Sequence, residues 1–562
     1  MKPRAVDRGR GTPRKARSTL WLVMVGAILG AGLQPASAYP RPGRTELVSV
    51  ASDGSQARSL PAAACLSPHF EYSDVTPEGR YVVFASAAYN LVDQVGGDTN
   101  AACDVFVRDR VTKRTELVSV ASDGTQGRGD SGAPSISADG RFVAFLSDAP
   151  NLVVGDTNLS RDAFVHDRRR GVTRRVNVSS DGEQALRVPW ATSNWLEISA
   201  NGRYVAFASL ADNLVEGDTD GGEDVYVHDL KTGQTVMASV DSQGAQAPGD
   251  VPSVSRTGRY VVFSSSADNL VPGDGNLAQD VFVHDLRTNK TVRVSVASDG
   301  TEAFCPTPPS TDATFLFCFS RTIDRGGRQI SSNGRYVTYT SGASNLVPND
   351  TNDPTGAEAR NDSFVHDLKT GRTERVSVTS FGGQLERGGL YNAISPSGRY
   401  VGFNVCNSDE FLGIQGVPVL GGCDTGEVYV HDRVTGFLTV ASTKANGKRS
   451  DGGPCNAGFL RGGAGPASFG TAVNDRGDIA FWSCNPDLVA GDSNDAMDYF
   501  VRDLGPVLGI GGFAEANPGG EPPDDRICIT PEICIPPGGS IVFADRSEDA
   551  DVPLNARGAD LI

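Results

Sequence analysis

Oxygen-bearing side chains recur along this sequence at a spacing suited to a hard cation. The pattern Asp-x-Asn/Asp-x-x-x-Asp occurs as Asp98, Asn100 and Asp104; Asp156, Asn158 and Asp162; Asp218, Asp220 and Asp224; Asp274, Asn276 and Asp280; and Asp492, Asn494 and Asp498. Asp350 and Asn352 begin a further copy whose closing Asp362 is displaced by six residues. Alternate oxygen donors closed by a carboxylate suit Ca²⁺, which takes about 6–8 oxygen ligands, so backbone carbonyls or water would complete each shell. The glycine and the terminal bidentate glutamate of an EF-hand loop are absent. The competing expectation is an Asx turn, with Asp and Asn bonding their own backbone and the last Asp opening a strand.

Other residue types suggest less chemistry. His166, His228, His284, His366 and His431 each precede an Asp at the same repeat position. A catalytic histidine would be singular, so this set predicts a structural hydrogen bond holding a strand or its turn. Gly129-Asp130-Ser131-Gly132-Ala133-Pro134 looks like a serine-protease nucleophile segment, but the only upstream histidine is His69, in an unrelated context. Without the full Ser-His-Asp set it predicts no protease. Trp190 and Trp195 flank a connection and would suit stacking on a sugar or a peptide proline; packing between repeats is the alternative. Asp409-Glu410 is the nearest approach to a non-repeated carboxylate pair, and no catalytic residue is assigned.

The elements that position these residues form a repeat. Gly140-Arg141-Phe142 recurs as Gly79-Arg80-Tyr81, Gly202-Arg203-Tyr204, Gly258-Arg259-Tyr260, Gly334-Arg335-Tyr336 and Gly398-Arg399-Tyr400, with a decayed copy at Gly477-Asp478-Ile479, 56 to 79 residues apart. Each unit reads as four strands. In the second unit these are Pro134 to Ser137, Phe142 to Phe145, Ala163 to Val165 and Arg174 to Val178. The unbroken apolar second strand suits burial on both faces, and the polar, alternating fourth suits an outer edge. Four-stranded units repeated about an axis predict an all-β, seven-bladed β-propeller. After the seventh third strand no fourth follows, whereas Thr45 to Gly54 matches Thr115 to Gly124 at every position. The N-terminal strand should therefore complete the last blade and close the ring.

The turn-Gly-Arg-Tyr-Val-Val-Phe strand followed by Asp-Val-Phe-Val-His-Asp resembles the propeller repeat of the TolB family, a relative of WD-type repeats, over about residues 45 to 503. That resemblance implies a fold more than an activity. Related propellers serve as accessory domains of peptidases and occur in some polysaccharide lyases. TolB proteins carry an α/β domain before the propeller, and the few residues ahead of the first strand leave no room for one.

In such a blade, the first-to-second and third-to-fourth turns share one face, and here they are all tight. Insertions at 301–329, 405–424 and 443–473 fall on the other face, over blades 5 to 7, and loops on a rigid scaffold are where binding resides. Local pairing of the ten cysteines would join Cys65 to Cys103, Cys305 to Cys318, Cys406 to Cys423, Cys455 to Cys484 and Cys528 to Cys534, although spacing alone does not fix connectivity.

Residues 1–38 read as a secretory signal: basic residues, an apolar run from Leu20 to Leu33, then Ala36-Ser37-Ala38. Uncleaved, it would be an anchor; no other segment is long and apolar enough to span a bilayer. The propeller is expected over 39–503, a Gly/Pro-rich linker over 504–526 and a small cysteine-containing tail over 527–562. A net charge of −17 opposes a nucleic-acid partner. The expectation is a monomeric, exported, non-catalytic scaffold, secreted or held in the periplasm or cell envelope, that binds a protein or glycan on its loop-rich face. The alternative is a propeller-fold lyase or hydrolase acting on a polysaccharide or peptide, with Ca²⁺ on the Asp/Asn loops as its cofactor.

Overall fold

The computed structural model describes residues 43–58, 73–92, 98–186, 195–304, 320–321, 327–351, 361–406, 426–444 and 468–504, with short gaps inside these stretches, and two strands at 527–530 and 533–535. Among the described residues the chain forms seven four-stranded sheets and one two-stranded hairpin. In the second blade the strands are Ser131–Ile136, Phe142–Ser147, Asp162–Asp167 and Val172–Arg175. All three pairings are antiparallel. This is the seven-bladed propeller that the repeat predicts. No helix among the described residues is long and apolar enough to cross a membrane.

The fourth strand lies earlier than its polarity pattern suggests, at 172–175 rather than 174–178. Val176 still donates to the Ala163 carbonyl, but the chain then turns at Ser179–Gly182 and Val178 bridges Gln184. The repeated Ala-Ser-Asp-Gly stretch is therefore a turn that leads out of the blade.

Apolar second and third strands make the core. Each blade stacks an aromatic pair across them, such as Phe145 on Phe164 at 5.9 Å and Phe263 on Phe282 at 5.9 Å. Both members of each pair are fully buried, and each ring contributes about 1.5–3 kcal/mol relative to exposure. The core clusters span neighbouring blades: Val83, Val105 and Val118 of blade 1 pack with Ile136, Val143 and Phe145 of blade 2.

The Gly-Arg-Tyr triplet is the coupling between blades. Each arginine forks onto the Asp that ends its own third strand, as in Arg141–Asp167 and Arg259–Asp285, at 2.5 to 2.7 Å across six blades. Its guanidinium also lies 4.5 to 4.9 Å above the ring that follows it. The glycine is a seat. At Gly258 the backbone takes φ +74°, and a Cβ there would overlap the Tyr204 ring of the preceding blade; Gly140 meets Tyr81 in the same way.

The ring closes as the sequence predicts. Arg44–Leu47 pairs antiparallel with the third strand of blade 7, Arg44 opposite Asp503 and Leu47 opposite Phe500. Blade 7 in turn packs on blade 1, with Phe84 and Tyr499 rings 5.3 Å apart.

Two glycine substitutions separate the seat from simple backbone strain. Gly258→Ala forces a positive φ, costing about 1–2 kcal/mol, and drives a methyl into Tyr204, costing about 1–3 kcal/mol more. Gly371→Ala meets the same positive φ, +73°, in open space. Chemical denaturation should show the larger loss only for Gly258→Ala; equal losses would contradict the seat.

Candidate functional site

The repeated polar residues are tied into the scaffold. His166, His228, His284 and His366 are buried, and each places Nδ1 2.8 to 2.9 Å from the hydroxyl of a fourth-strand threonine: Thr173, Thr235, Thr291 and Thr373. Each threonine hydroxyl donates to a carbonyl of the preceding blade, Val120, Val178, Val240 or Val296. With its proton so used, the hydroxyl must accept from the ring, which fixes the histidine as the Nδ1–H tautomer. Arg108 and Arg502 occupy this position in blades 1 and 7 and donate to Thr115 and Thr45. His431 faces Leu438 instead of a threonine, and its Nδ1 has no hydrogen-bond partner.

The Asp/Asn pattern gathers into one cluster per blade, on the side of the second-to-third connections. Its last carboxylate is buried and accepts from the residue two beyond the end of the fourth strand: Asp104 from Ser119, Asp162 from Asn177, Asp280 from Ser295 and Asp498 from Ser49, all at 2.5 Å. The first carboxylate is met by a cation or an amide. Arg175 reaches Asp156 and Asp162 at 3.3 and 3.1 Å, and Arg293 reaches Asp274, Asp280 and Glu302 at 2.9, 3.3 and 2.9 Å. Gln126 bridges Asp98 and Asp104, and Gln56 reaches Asp492. Asn100, Asn158 and Asn276 turn their side-chain amides to the carbonyl of the residue after the Gln or Glu, and Asn494 does likewise with Ala57. Despite its displaced Asp362, blade 5 builds the same cluster, with Arg375 spanning Asp350 and Asp362 and Gln384 bridging them. Asn352 lies outside the described residues. Burial pushes Asp104, Asp362 and Asp498 up to about 7. Asp218, Asp220 and Asp224 differ: no arginine or side-chain amide is seen to join them among the described residues.

A second group breaks the repeat. First strands of successive blades touch one another and so line the axis. On them, Asp74 accepts from the Ile136 amide at 3.0 Å, Ser135 from the Ile198 amide at 3.2 Å and Glu197 from the Val254 amide at 3.2 Å. The Gln329 backbone amide donates to the Ser253 hydroxyl at 3.0 Å. From blade 1 to blade 5 one position thus stitches each blade to the next, but its residue changes from blade to blade. Among these residues Arg328 stands 3.4 Å from Glu197 and favours the charged forms of both Glu197 and Asp74. Burial outweighs it, pushing Glu197 up to about 7, with Asp74 nearby adding to the rise. Glu197 Oε1 and Arg328 Nη1 are buried without a hydrogen-bond partner. Asp74 and Glu197 are the non-repeated carboxylates that the linear sequence hides, because they lie on different blades.

Other candidates distribute as follows. Trp195 packs against the apolar cluster between blades 2 and 3, while Trp190 lies outside the described residues. Ser131 is buried with its hydroxyl 2.8 Å from that of Ser147, a strand-edge bond. Cys103 is buried and disulfide-bonded, and its partner's side chain is outside the described residues. Cys528 stands opposite Cys534 in the terminal hairpin. Cys65, Cys305, Cys318, Cys423, Cys455 and Cys484, the side chain of Cys406, residues 1–42, His69, Asp409-Glu410 and most of the three insertions also lie outside the described residues.

A cavity of about 270 Å³ opens on the tight-turn face between blades 2 and 3, lined by Phe142, Val165, Val172, Leu230, Arg174 and Lys231 among others. Its origin is local. At three other junctions an arginine clasps a glutamate of the preceding blade: Arg110–Glu46, Arg168–Glu116 and Arg433–Glu374. Here Leu230 and Arg174 stand at those two positions.

No family model matches the sequence, and no curated protein matches it. Solved structures with similar folds include TolB from Acinetobacter baumannii, at 12% identity and TM-score 0.33, covering 65% of this chain and 61% of that one. An oligogalacturonate lyase in complex with manganese aligns at 12% identity and TM-score 0.41, covering 82% and 98%. The β-propeller domain of the Trilobed protease from Pyrococcus furiosus aligns at 11% and 0.37, covering 74% and 91%.

The histidine network is testable by NMR. Burial holds His166, His228, His284 and His366 below the ordinary imidazole value, and His431 at about 4. At about pH 7.5, above the ordinary imidazole value, all five should be neutral, and the four threonine-bonded rings should show the Nδ1–H tautomer in ¹H–¹⁵N spectra. Their contribution to stability should be full above the unfolded imidazole value of about 6.5 and decline as pH falls below it. Nε2–H rings, or rings that titrate above the ordinary imidazole value, would contradict the relay.

Proposed function

We propose that this protein is an exported, non-catalytic scaffold of the cell envelope or cell exterior that binds a protein or glycan ligand, with the polar contacts made at the central axis. The observation that carries this reading is the axial set Asp74, Glu197 and Arg328. These are charged, occur once each, and leave Arg328 Nη1 buried without a hydrogen bond, while Glu197 Oε1 has only its 3.4 Å ion-pair contact with Arg328 Nε. Leaving such atoms unmet costs about 1–3 kcal/mol each, more for charged groups. A ligand that supplies a donor and an acceptor would recover that cost. Sugar hydroxyls do both, as does a peptide backbone. Export is supported by the basic, apolar and small-residue order of residues 1–38 and by the disulfide at Cys103. On the residues of its repeat we place the chain near the TolB-type propellers.

One observation favours the enzymatic alternative. Asp74 and Glu197 are paired carboxylates, and Glu197 near 7 is poised for general-acid work in a glycan lyase or hydrolase. Their bonds to the backbone of the next blade favour the scaffold, because each carboxylate already holds the ring together.

The labelled mature chain, residues 39–562, should bind a discrete set of targets on glycan and peptide arrays. Glu197→Gln and Arg328→Gln should reduce those signals at least about tenfold, the equivalent of about 1.4 kcal/mol. Arg174→Ala on the opposite face should leave them unchanged. Binding insensitive to both axial variants would overturn the axial reading, and cleavage of a bound oligosaccharide would establish the enzyme instead.

A further inference from the structure

The cation-binding pattern is written into many blades, yet the structure singles out one. In blades 2, 4 and 5 the second residue after the repeated fourth-strand threonine is an arginine, Arg175, Arg293 or Arg375, whose Nη1 sits among the carboxylates. Blade 4 shows the consequence most plainly: three carboxylates, Asp274, Asp280 and Glu302, converge on Arg293. In blades 1 and 7 leucine replaces the arginine, and the Gln126 and Gln56 side-chain amides turn onto the aspartates.

Blade 3 has neither. Met237 holds the arginine position, and Asp218, Asp220 and Asp224 bring one oxygen each within 4.8 Å of one another. Tyr226 donates to Asp218, the Gly222 amide to Asp220 at 2.9 Å and Ser239 to Asp224 Oδ1 at 2.6 Å. Those are single hydrogen bonds to neutral groups, and they leave the negative charge of the cluster uncompensated. Two further atoms mark the space as unfilled. Asp224 is fully buried, yet its Oδ2 has no hydrogen-bond partner, as is also true of Asp98 Oδ2 in blade 1 and Asp498 Oδ2 in blade 7; what sets blade 3 apart from those two is that Gln246, the counterpart of Gln126 and Gln56, has a buried side-chain nitrogen that has none either. A buried anionic oxygen without a partner is the group that a cation satisfies best.

We propose that blade 3 holds a divalent cation of the oxygen-seeking class, Ca²⁺, on the carboxylates of Asp218, Asp220 and Asp224, in the place that an arginine takes in blades 2, 4 and 5. Backbone carbonyls and water complete the shell. The ion joins the second-to-third loop to the third strand, as the guanidinium does elsewhere, and Asp220 is exposed, so the ion has a route in from solvent. This site is independent of the axial reading: either can fail alone.

The test is calorimetric titration of CaCl₂ into the chelator-treated mature chain, with circular dichroism to confirm folding. One ion per chain is expected. Met237→Arg copies an arrangement that the chain already uses in three blades, so it should fold and lose the binding; Asp224→Asn should lose it as well. Arg293→Met, which removes the cation from the blade 4 trio, should raise the stoichiometry to two. No heat in the unmodified chain, binding that survives Met237→Arg, or several equivalent ions per chain would each overturn the proposal.

Discussion

A ring of sheets depends on its seam. Six junctions join blades that are contiguous in sequence; the seventh must bring the two ends of the propeller together, and it is held by a buried ionic clasp. Arg110 is wholly buried, with Nη2 2.9 Å from Glu46 on the N-terminal strand and 3.0 Å from Asp503 at the end of blade 7. Its Nη1 donates to the Gly79 carbonyl of its own blade. One guanidinium thus contacts the N-terminal strand, the last blade and the first. Removing it would leave two carboxylates facing each other out of water, a loss of about 3–5 kcal/mol. The seam also explains an irregularity in the repeat. Blade 7 has Asp478 where the others have the forked arginine, and Asn474 and Asp478 stand against Gly79, where the other glycines meet an aromatic ring. The decayed triplet makes room for the clasp.

With the seam closed, most polar residues are absorbed in holding blades to one another. The histidine–threonine relay, the arginine–aspartate fork and the carboxylate clusters each repeat because each junction needs them. Function is then sought where the repeat is broken and the polar groups are not met. Two places that bring carboxylates together satisfy that test among the described residues; His431, whose buried Nδ1 is unmet where Leu438 replaces the threonine, is a lone ring. At the axis, Asp74, Glu197 and Arg328 replace neutral partners. In blade 3, Met237 replaces an arginine. The cleft between blades 2 and 3 is a third departure, but Arg174 and Leu230 there leave a gap in the packing and expose no buried charge.

How much was legible in the sequence follows from what kind of information each feature carries. Blade number, strand order and ring closure could be read because they rest on local patterns that recur, above all the identity of Thr45–Gly54 with Thr115–Gly124. The structural hydrogen bond of the repeated histidines was also legible for four of the five, since five copies cannot all be catalytic; His431, facing Leu438, departs from it. The fourth-strand boundary was not: Val176 and Val178 look like strand residues and serve instead at the exit from the blade. The axial trio was missed because its members lie far apart in the chain and belong to no shared motif. The available signal was the residue before the buried aliphatic of each first strand, which runs Asp74, Ser135, Glu197, Ser253, Gln329. Likewise the metal pattern looked equivalent in five copies, because the residue that distinguishes them, Met237 against Arg293, stands on another strand.

The most direct test of this account is hydrogen exchange at the seam. Val48 donates its amide to Tyr499 across the junction of the two termini at 2.8 Å, as Val118 does to Val105 at 2.9 Å and Val294 to Val281 at 2.8 Å within continuous blades. If the N-terminal strand is a full member of blade 7, the peptide containing Val48 should exchange as slowly as those containing Val118 and Val294, and Arg110→Met should speed its exchange before theirs. Rapid exchange at Val48 in the unmodified chain, with the other two protected, would mean that the ring is open at this junction, and would contradict the closed propeller on which the rest is built.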